Sequence, residues 1–173
     1  VEEANPNFQL MYFGFKANRP LVSDRRVREA MNIGLNRREL VQSVMLGQAN
    51  PAFTYIHEEA LDFAPSTKGL IKEDVARANR LLDEAGWTQR DKDGIRMKNG
   101  ERLAPVVFIP QVTYFPRMTE AIQGQMRKIG VDWRITALES SIMPARLQGQ
   151  DFDLWTVTVP YLSAGELMIF YFH

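Results

Sequence analysis

Cysteine is absent from this chain of 173 residues, and histidine occurs only at His57 and His173. The absence of cysteine excludes disulfides, thiolate catalysis and cysteine-ligated zinc. Two histidines are too few for a multi-histidine metal site within one chain. We therefore expect no metal site and no cofactor. In addition, no segment approaches the run of about 20 apolar residues with which a helix spans a bilayer.

An excess of charge of either sign is also missing. Lysine plus arginine number 21, and aspartate plus glutamate also number 21. Binding to nucleic acid depends on a basic excess, so we expect no nucleic-acid partner. The hydrophobic fraction of 45% and the charged fraction of 24% are typical of a globular protein. At this length, residues 1–173 are predicted to form a single domain.

Motifs of catalysis and metal binding are scarce. The sequence contains no Gly-x-Ser-x-Gly motif and no glycine-rich phosphate loop after a strand. Residues 91–94 (Asp-Lys-Asp-Gly) are similar to part of a calcium loop, but that alignment places Gly100 where the loop needs a glutamate. We interpret them as a polar turn. The pairs Glu58-Glu59 and Asp151/Asp153 stand in polar surroundings and are expected to be exposed.

Helical spacing of apolar residues is clear in the first half of the chain. A first helix is expected from residue 24, with Ser23 as its N-cap. A second helix begins after Asn36 and is expected to end at Gly47. A third is capped by Asp74 and stopped by Gly86. Before these helices, the aromatic-rich residues 8–16 are predicted to form a buried strand.

The second half alternates between strand and helix patterns. Asn99-Gly100 predicts a tight β-hairpin, because both central residues of a type I′ turn need positive φ. Three strands follow, over residues 105–109, 131–137 and 152–159. They are separated by a helix over 116–129 and by a short helix capped by Ser140 or Ser141. This β-α-β-α-β order predicts parallel strands joined by right-handed crossovers, and hence an α/β fold with a mixed sheet.

Ligands of open parallel sheets bind beyond the carboxyl ends of the strands. Polar and aromatic residues at or after the predicted strands are therefore the candidate ligand-binding residues: Tyr114, Glu139, Ser140, Trp155, Thr158 and Tyr161. Alternation along a regular strand sends Trp155 and Thr158 to opposite faces, unless a bulge intervenes. Tyr161 lies past the strand and escapes this constraint. The set is typical of a platform for a small organic ligand.

Four segments together carry a family resemblance. The first is residues 21–32, with Asp-Arg-Arg-Val-Arg-Glu-Ala, followed by Asn-Arg-Arg-Glu-Leu at 36–40. The others are residues 74–87, 120–131 and 149–154. In this order they resemble the family 5 extracellular solute-binding proteins, which are peptide, nickel and oligosaccharide receptors of ABC importers. Such receptors close two lobes on a ligand by hinge motion.

The resemblance implies that residues 1–173 are the C-terminal, domain III-like lobe of a larger type II receptor, and that the chain is a fragment. It also implies an ABC permease in the membrane as partner, a peptide-like or sugar-like solute, a monomeric state, and a periplasmic or membrane-tethered extracytoplasmic location. The implied function is solute binding and not catalysis. In peptide-binding members an acidic residue after the last strand holds the ligand's amino terminus, and Leu162 stands near that position here. A sugar-like or amine-free solute therefore fits better than an ordinary peptide.

Two alternatives remain open. A hydrolase could use His57 with Glu58 or Glu59, all within a long connection that has no clear period. Alternatively, the apolar residues 167–172 could bind another protein, because exposed apolar patches often mark interfaces.

Overall fold

The computed structural model describes residues 9–54, 58, 60, 62–112, 114–149 and 151–160. Within these residues, strands and α-helices follow in the order β1 (Gln9–Phe15), α1 (Arg25–Ile33), α2 (Arg37–Ser43), α3 (Val75–Glu84), β2 (Gln89–Arg90), β3 (Arg96–Lys98), β4 (Glu101–Arg102), β5 (Val106–Pro110), α4 (Phe115–Lys128), β6 (Arg134–Leu138), α5 (Met143–Leu147) and β7 (Leu154–Pro160). No helix among them is long and apolar enough to cross a membrane.

The main sheet has the strand order β1-β7-β5-β6. Strand β5 lies in its centre and pairs in parallel with both β6 and β7. Strand β1 runs antiparallel to β7, with Gln9 opposite Pro160 and Phe15 opposite Leu154. The predicted mixed sheet and its parallel portion are confirmed. Because parallel strands need a crossover, α4 and α5 fall on the two links of this unit.

Local capping sets where the first helices begin. Asp24 Oδ1 accepts the Arg26 N–H at 2.8 Å, so Asp24 and not Ser23 is the N-cap of α1. The Ser23 hydroxyl instead donates to the carbonyl of Pro20. Asn36 caps α2 as predicted, and Asp74 caps α3 through the Arg77 N–H at 2.7 Å. Helix α2 ends earlier than predicted, with Val44 rather than Gly47 as its C-cap.

One face of the main sheet carries the larger core. Helix α4 contributes Met118, Ile122 and Met126, which are all buried as predicted. Helices α1 and α3 pack against each other and enter the same cluster through Met31 and Leu82. Helix α3 thus joins the sheet's core together with α1.

A smaller cluster occupies the other face of the sheet. It consists of Phe108, Leu138, Met143 and Phe152, with the short helix α5 packed over it. Phe108 points to this side while its neighbours Val107 and Ile109 point to the larger core. This alternation is the period of two expected for a strand covered on both faces.

A second sheet, with the order β2-β3-β4, lies beside α3 and the end of α4. Asn99 and Gly100 form its tight turn with φ of 51° and 80°, which confirms the predicted hairpin. The sequence pattern missed β2. The sheet is fixed to the core by Arg96, whose side chain is only 3% exposed. Its guanidinium donates to the carbonyls of Ile129 at 2.9 Å and Trp87 at 2.6 Å.

Candidate functional site

The three parallel strands end at the same edge of the main sheet. There the Gln111 N–H donates to the Leu138 carbonyl at 2.7 Å, which holds the exits of β5 and β6 together. We call the described residues at this edge the strand-exit rim: 110–112, 114, 138–142 and 158–160. In open parallel sheets this edge is where ligands bind.

Tyr114 and Thr158 meet at the strand-exit rim. The Tyr114 hydroxyl lies 3.0 Å from Thr158 Oγ1, and both side chains are half-buried. The Tyr114 ring stacks on Phe115 with centroids 4.9 Å apart and an interplanar angle of 16°, which fixes its direction. One hydrogen bond between two hydroxyls uses only one of their two protons. Among the described residues, the second proton and the remaining lone pairs have no other partner and could serve a polar group of a ligand.

Glu139 and Ser140 follow β6 and are both exposed. The Glu139 carbonyl accepts the N–H groups of Ile142 at 3.1 Å and Met143 at 3.2 Å, which turns the chain into α5. Ile142 is the N-cap and makes no side-chain capping bond, so the expectation that Ser140 or Ser141 caps α5 is wrong. The side chains of Glu139 and Ser140 therefore lie at the rim and do not cap α5.

Trp155 lies away from the rim, near the amino end of β7. It is about 16 Å along the strand from Pro160 at the usual strand rise. Its ring covers Gly14, where an added Cβ would come within 2.2 Å of the ring atoms. It also packs edge-on against Phe152, with centroids 6.3 Å apart. Trp155 therefore faces the smaller cluster, on the side of the sheet opposite Thr158.

Several candidates fall outside the described residues. Tyr161 and Leu162 are among them, as are residues 167–172. The same holds for His57 and Glu59 of the hydrolase alternative. Glu58 is described, is exposed, and pairs with Lys68 at 2.5 Å.

Two apolar residues of the rim were not singled out in the sequence. Val112 is 41% exposed after β5, and Ile142 is 45% exposed after β6. Most large apolar side chains in the described part of the chain are covered, so exposure of two at one edge is informative. Their signal in the sequence was an apolar residue placed in a loop directly after a strand. They would offer apolar contact beside the hydroxyls of Tyr114 and Thr158.

Asp153 corrects the expectation that both acidic residues before β7 are exposed. Its side chain is buried, with 1% of the residue exposed. Oδ2 accepts the Val106 N–H at 2.8 Å, and Oδ1 accepts from Arg19 Nε at 3.2 Å. The Asp153 carbonyl also accepts the Lys16 N–H at 2.9 Å. Asp153 therefore ties β1, β5 and β7 together at the edge opposite the strand-exit rim.

The turn at residues 91–94 has the structural role expected for it. Asp91 Oδ1 accepts the N–H groups of Asp93 and Ile95, both at 2.9 Å. Asp91 Oδ2 pairs with Arg102 at 2.8 Å. The described residues contain no group of three or more histidines, aspartates or glutamates arranged to hold a metal ion.

Comparison with known proteins decides the family. The model of the bacterial extracellular solute-binding proteins, family 5, middle region, matches residues 2–162. The chain belongs to this family. The nickel-binding periplasmic protein of Escherichia coli K12 is 34% identical over 135 residues, covering 74% of this chain and 24% of that protein. The oligopeptide-binding protein AppA of Bacillus subtilis 168 is 27% identical over 150 residues, covering 83% of this chain and 27% of that protein.

Solved structures of the family share the fold. AppA of Bacillus subtilis in complex with a nonapeptide superposes with a TM-score of 0.79 at 22% identity, over 91% of this chain and 32% of that one. NikA of Brucella suis in complex with Fe(III)-EDTA gives a TM-score of 0.75 at 27% identity, over 87% of this chain and 30% of that one. The chain thus spans a third or less of the relatives it matches. The predicted resemblance and the α/β fold of type II periplasmic binding proteins are confirmed.

Proposed function

We propose that residues 1–173 form one lobe, the C-terminal and domain III-like lobe, of a receptor that captures a small organic solute for an ABC importer. The observation that carries this proposal is the family match over residues 2–162. The relatives are solute-binding proteins by name, and the chain covers only part of each. The lobe binds without catalysis and uses no cofactor.

The solute contacts the strand-exit rim. Tyr114 and Thr158 present a hydroxyl pair with one proton to donate, and Val112 and Ile142 present apolar surface. Exposed Glu139 adds a carboxylate, the group that would pair with an amine or accept from a hydroxyl. The exposed Ser140 adds another hydroxyl. This mixture fits a peptide-like or sugar-like solute.

The setting follows from the same family. The receptor works as a monomer outside the cytoplasm, either in the periplasm or tethered to the membrane, and passes its solute to a membrane permease. Relatives carry names such as nickel-binding periplasmic protein and oligopeptide-binding protein, and these support the setting. A second lobe would complete the site by closing over the ligand.

The test is a titration of the ¹⁵N-labelled chain with trialanine, glutathione and maltotriose, followed by amide chemical shifts. One lobe supplies about half of the contacts, but binding to it still costs most of the ligand's translational and rotational entropy. The dissociation constant of a micromolar ligand should therefore rise beyond about millimolar. We expect no calorimetric signal at micromolar concentration. At millimolar concentration we expect shifts confined to the strand-exit rim for at least one probe.

Tyr114→Phe should abolish those shifts, because it removes a hydroxyl while keeping the ring. Arg102→Met, at the distant small sheet, is the matched control and should leave them unchanged. Micromolar binding by the isolated chain, or shifts that avoid the rim for every probe, would contradict the proposal.

A further inference from the structure

A groove of about 340 Å³ lies between the start of α2 and the segment that precedes α3. Its apolar lining residues are Leu35, Phe53 and Ile71, which we call its floor. Arg38 and Lys72 stand among its polar lining residues. We call this feature the basic groove. Its volume lies within the range of small-ligand sites.

The basic groove is separate from the strand-exit rim. Asn36 lines it, and the Asn36 N–H donates to Gln125 Oε1 at 2.9 Å. Gln125 lies about 15 Å along α4 from Phe115, the first residue of α4 after the rim, at the usual helical rise. A ligand in the groove would therefore not touch Tyr114 or Thr158.

The charges around the groove are unbalanced. Among the described residues, its lining contains three cations, Arg37, Arg38 and Lys72, and one carboxylate, that of Glu73. Arg37 is engaged with Asn32, whose carbonyl accepts at 3.0 Å.

Among the described residues, Arg38 and Lys72 carry positive charge of the groove that no carboxylate neutralises. The Arg38 guanidinium lies 5.5 Å from the centre of the Phe53 ring. Within the described residues, neither Arg38 nor Lys72 has a carboxylate at ion-pair distance. Two cations among apolar lining residues favour an occupant that is both anionic and apolar.

The apolar surface continues beyond the groove. Leu70 stands between two lining residues, Gly69 and Ile71, and is 74% exposed. An occupant confined to the groove would leave Leu70 in water. A segment of a protein partner that runs across the groove would cover Leu70 and the floor together, and burial of such apolar surface is favourable.

We propose that the basic groove docks an acidic segment of a partner protein, with one apolar side chain of that segment seated on the floor. The carboxylates of the segment pair with Arg38 and Lys72. The apolar side chain packs against Phe53 and Ile71, and a neighbouring residue of the segment covers Leu70. The proposal is independent of the solute that the strand-exit rim binds.

The test uses the blocked peptide acetyl-Asp-Glu-Leu-Phe-Glu-amide as the probe, titrated into the ¹⁵N-labelled 173-residue chain. We expect amide shifts at Asn36, Phe53 and Ile71 and none at the strand-exit rim. Replacing both groove cations, by Arg38→Gln with Lys72→Gln, should weaken binding at least about ten-fold, because two charge-assisted contacts are lost. Raising the salt concentration from 50 to 300 mM should weaken it several-fold by screening.

Lys68→Gln is the matched control, since Lys68 is an exposed lysine nearby that pairs with Glu58 and does not line the groove. It should leave the affinity unchanged. Leu70→Ser should weaken the peptide several-fold and leave decanoate, a small anionic amphiphile, unaffected. Preserved amide dispersion shows that each variant is folded.

Three results would overturn the proposal. The first is the absence of shifts in the groove at millimolar peptide. The second is equal binding of the peptide in which glutamine and asparagine replace the acidic residues. The third is binding of decanoate as tight as that of the peptide, with no effect of Leu70→Ser, because the groove would then be a small-molecule site.

Discussion

Replacing Arg96 by methionine should destabilise the fold more than any exposed arginine can. Methionine keeps most of the apolar stem but removes every guanidinium donor. Two of the acceptors that lose their partner are backbone carbonyls in buried surroundings, those of Ile129 and Trp87. The other partners, Asn79 and Asp83, are more accessible, and the Asp83 side chain is 53% exposed.

The expected loss of stability depends on which acceptors of Arg96 are buried and which are accessible to water. Asp83 and Asn79 regain water, so their loss contributes little. The two buried carbonyls each lose a hydrogen bond at about 1–3 kcal/mol. The packing of the methionine side chain offsets part of this, and we expect Arg96→Met to lower the free energy of unfolding by about 2–4 kcal/mol. That is a large part of the stability of about 5–15 kcal/mol of an ordinary domain.

Urea unfolding followed by circular dichroism measures this difference. Arg102→Met is the matched control, because Arg102 belongs to the same small sheet, has a side chain 42% exposed and forms ion pairs with Asp91 and Asp93. Such exposed pairs contribute at most about 1 kcal/mol. If Arg96→Met and Arg102→Met lower the free energy of unfolding equally, the argument from buried carbonyls is refuted.

Three further predictions concern stability and titration. Ile122→Asp should unfold the chain or destabilise it severely, because burying an isoleucine contributes about 2 kcal/mol and an unpaired buried charge adds a penalty. Ile142→Asp, at an exposed position, should be tolerated. Equal melting temperatures of the two variants would contradict the assignment of Ile122 to the core. The side-chain hydrogen bond from Arg26 lowers the pKa of Asp24 below its ordinary value of 3.8. The stability that ionised Asp24 contributes is therefore present above pH 3.8 and is lost as the pH falls through the folded-state pKa. An NMR titration midpoint of Asp24 at or above 3.8 would disprove this. Asp153→Ala should cost about 1–3 kcal/mol in chemical unfolding, because the part-buried Val106 N–H loses its acceptor. Asp153→Asn should cost less because its amide oxygen still accepts, and the reverse order would refute the role given to Asp153.

Signals contained within a few residues predicted structure reliably. Asn99-Gly100 needs only its own backbone preferences to form the turn of the small sheet. The apolar stripe of α4 repeats at helical spacing and is buried where the spacing places it. Asn36 and Asp74 cap the helices that follow them because the accepting oxygen and the donating N–H groups lie within three residues.

Contacts between distant residues were beyond the sequence pattern. Asp153 stands beside polar neighbours and was interpreted as exposed, but its partner Arg19 is 134 positions away in the chain. Arg96 lies in a short hairpin strand, where an arginine is normally exposed, and its burial depends on carbonyls from α3 and α4 that only the tertiary fold brings together. Ser23 and Asp24 are both good N-cap residues, so local propensity could not decide between neighbours.

At the candidate site, too, local sequence signals predicted part of the arrangement and tertiary contacts decided the rest. Strand order predicted the edge that we propose as the ligand-binding site, and the hydrogen bond between Tyr114 and Thr158 joins two of the candidate residues there. The aromatic character of Trp155 predicts a ligand contact, but its position near the start of β7 and its contact with Gly14 give it a packing role. Val112 and Ile142 were overlooked because an isolated apolar residue in a loop gives no periodic signal.

The two ends of the main sheet differ in how completely their polar groups are satisfied. At the amino ends of the parallel strands, Asp153 accepts from Arg19 and from the Val106 N–H, and little binding capacity is left. At the carboxyl ends, Tyr114 and Thr158 have only each other among the described residues, and one hydroxyl proton is unused. A ligand at the amino ends would have to displace protein hydrogen bonds, whereas a ligand at the carboxyl ends could add bonds to hydroxyls that have spare capacity among the described residues. Spare hydrogen-bonding capacity among the described residues therefore supports the proposal that a solute binds at the strand-exit rim, independently of any likeness to other receptors.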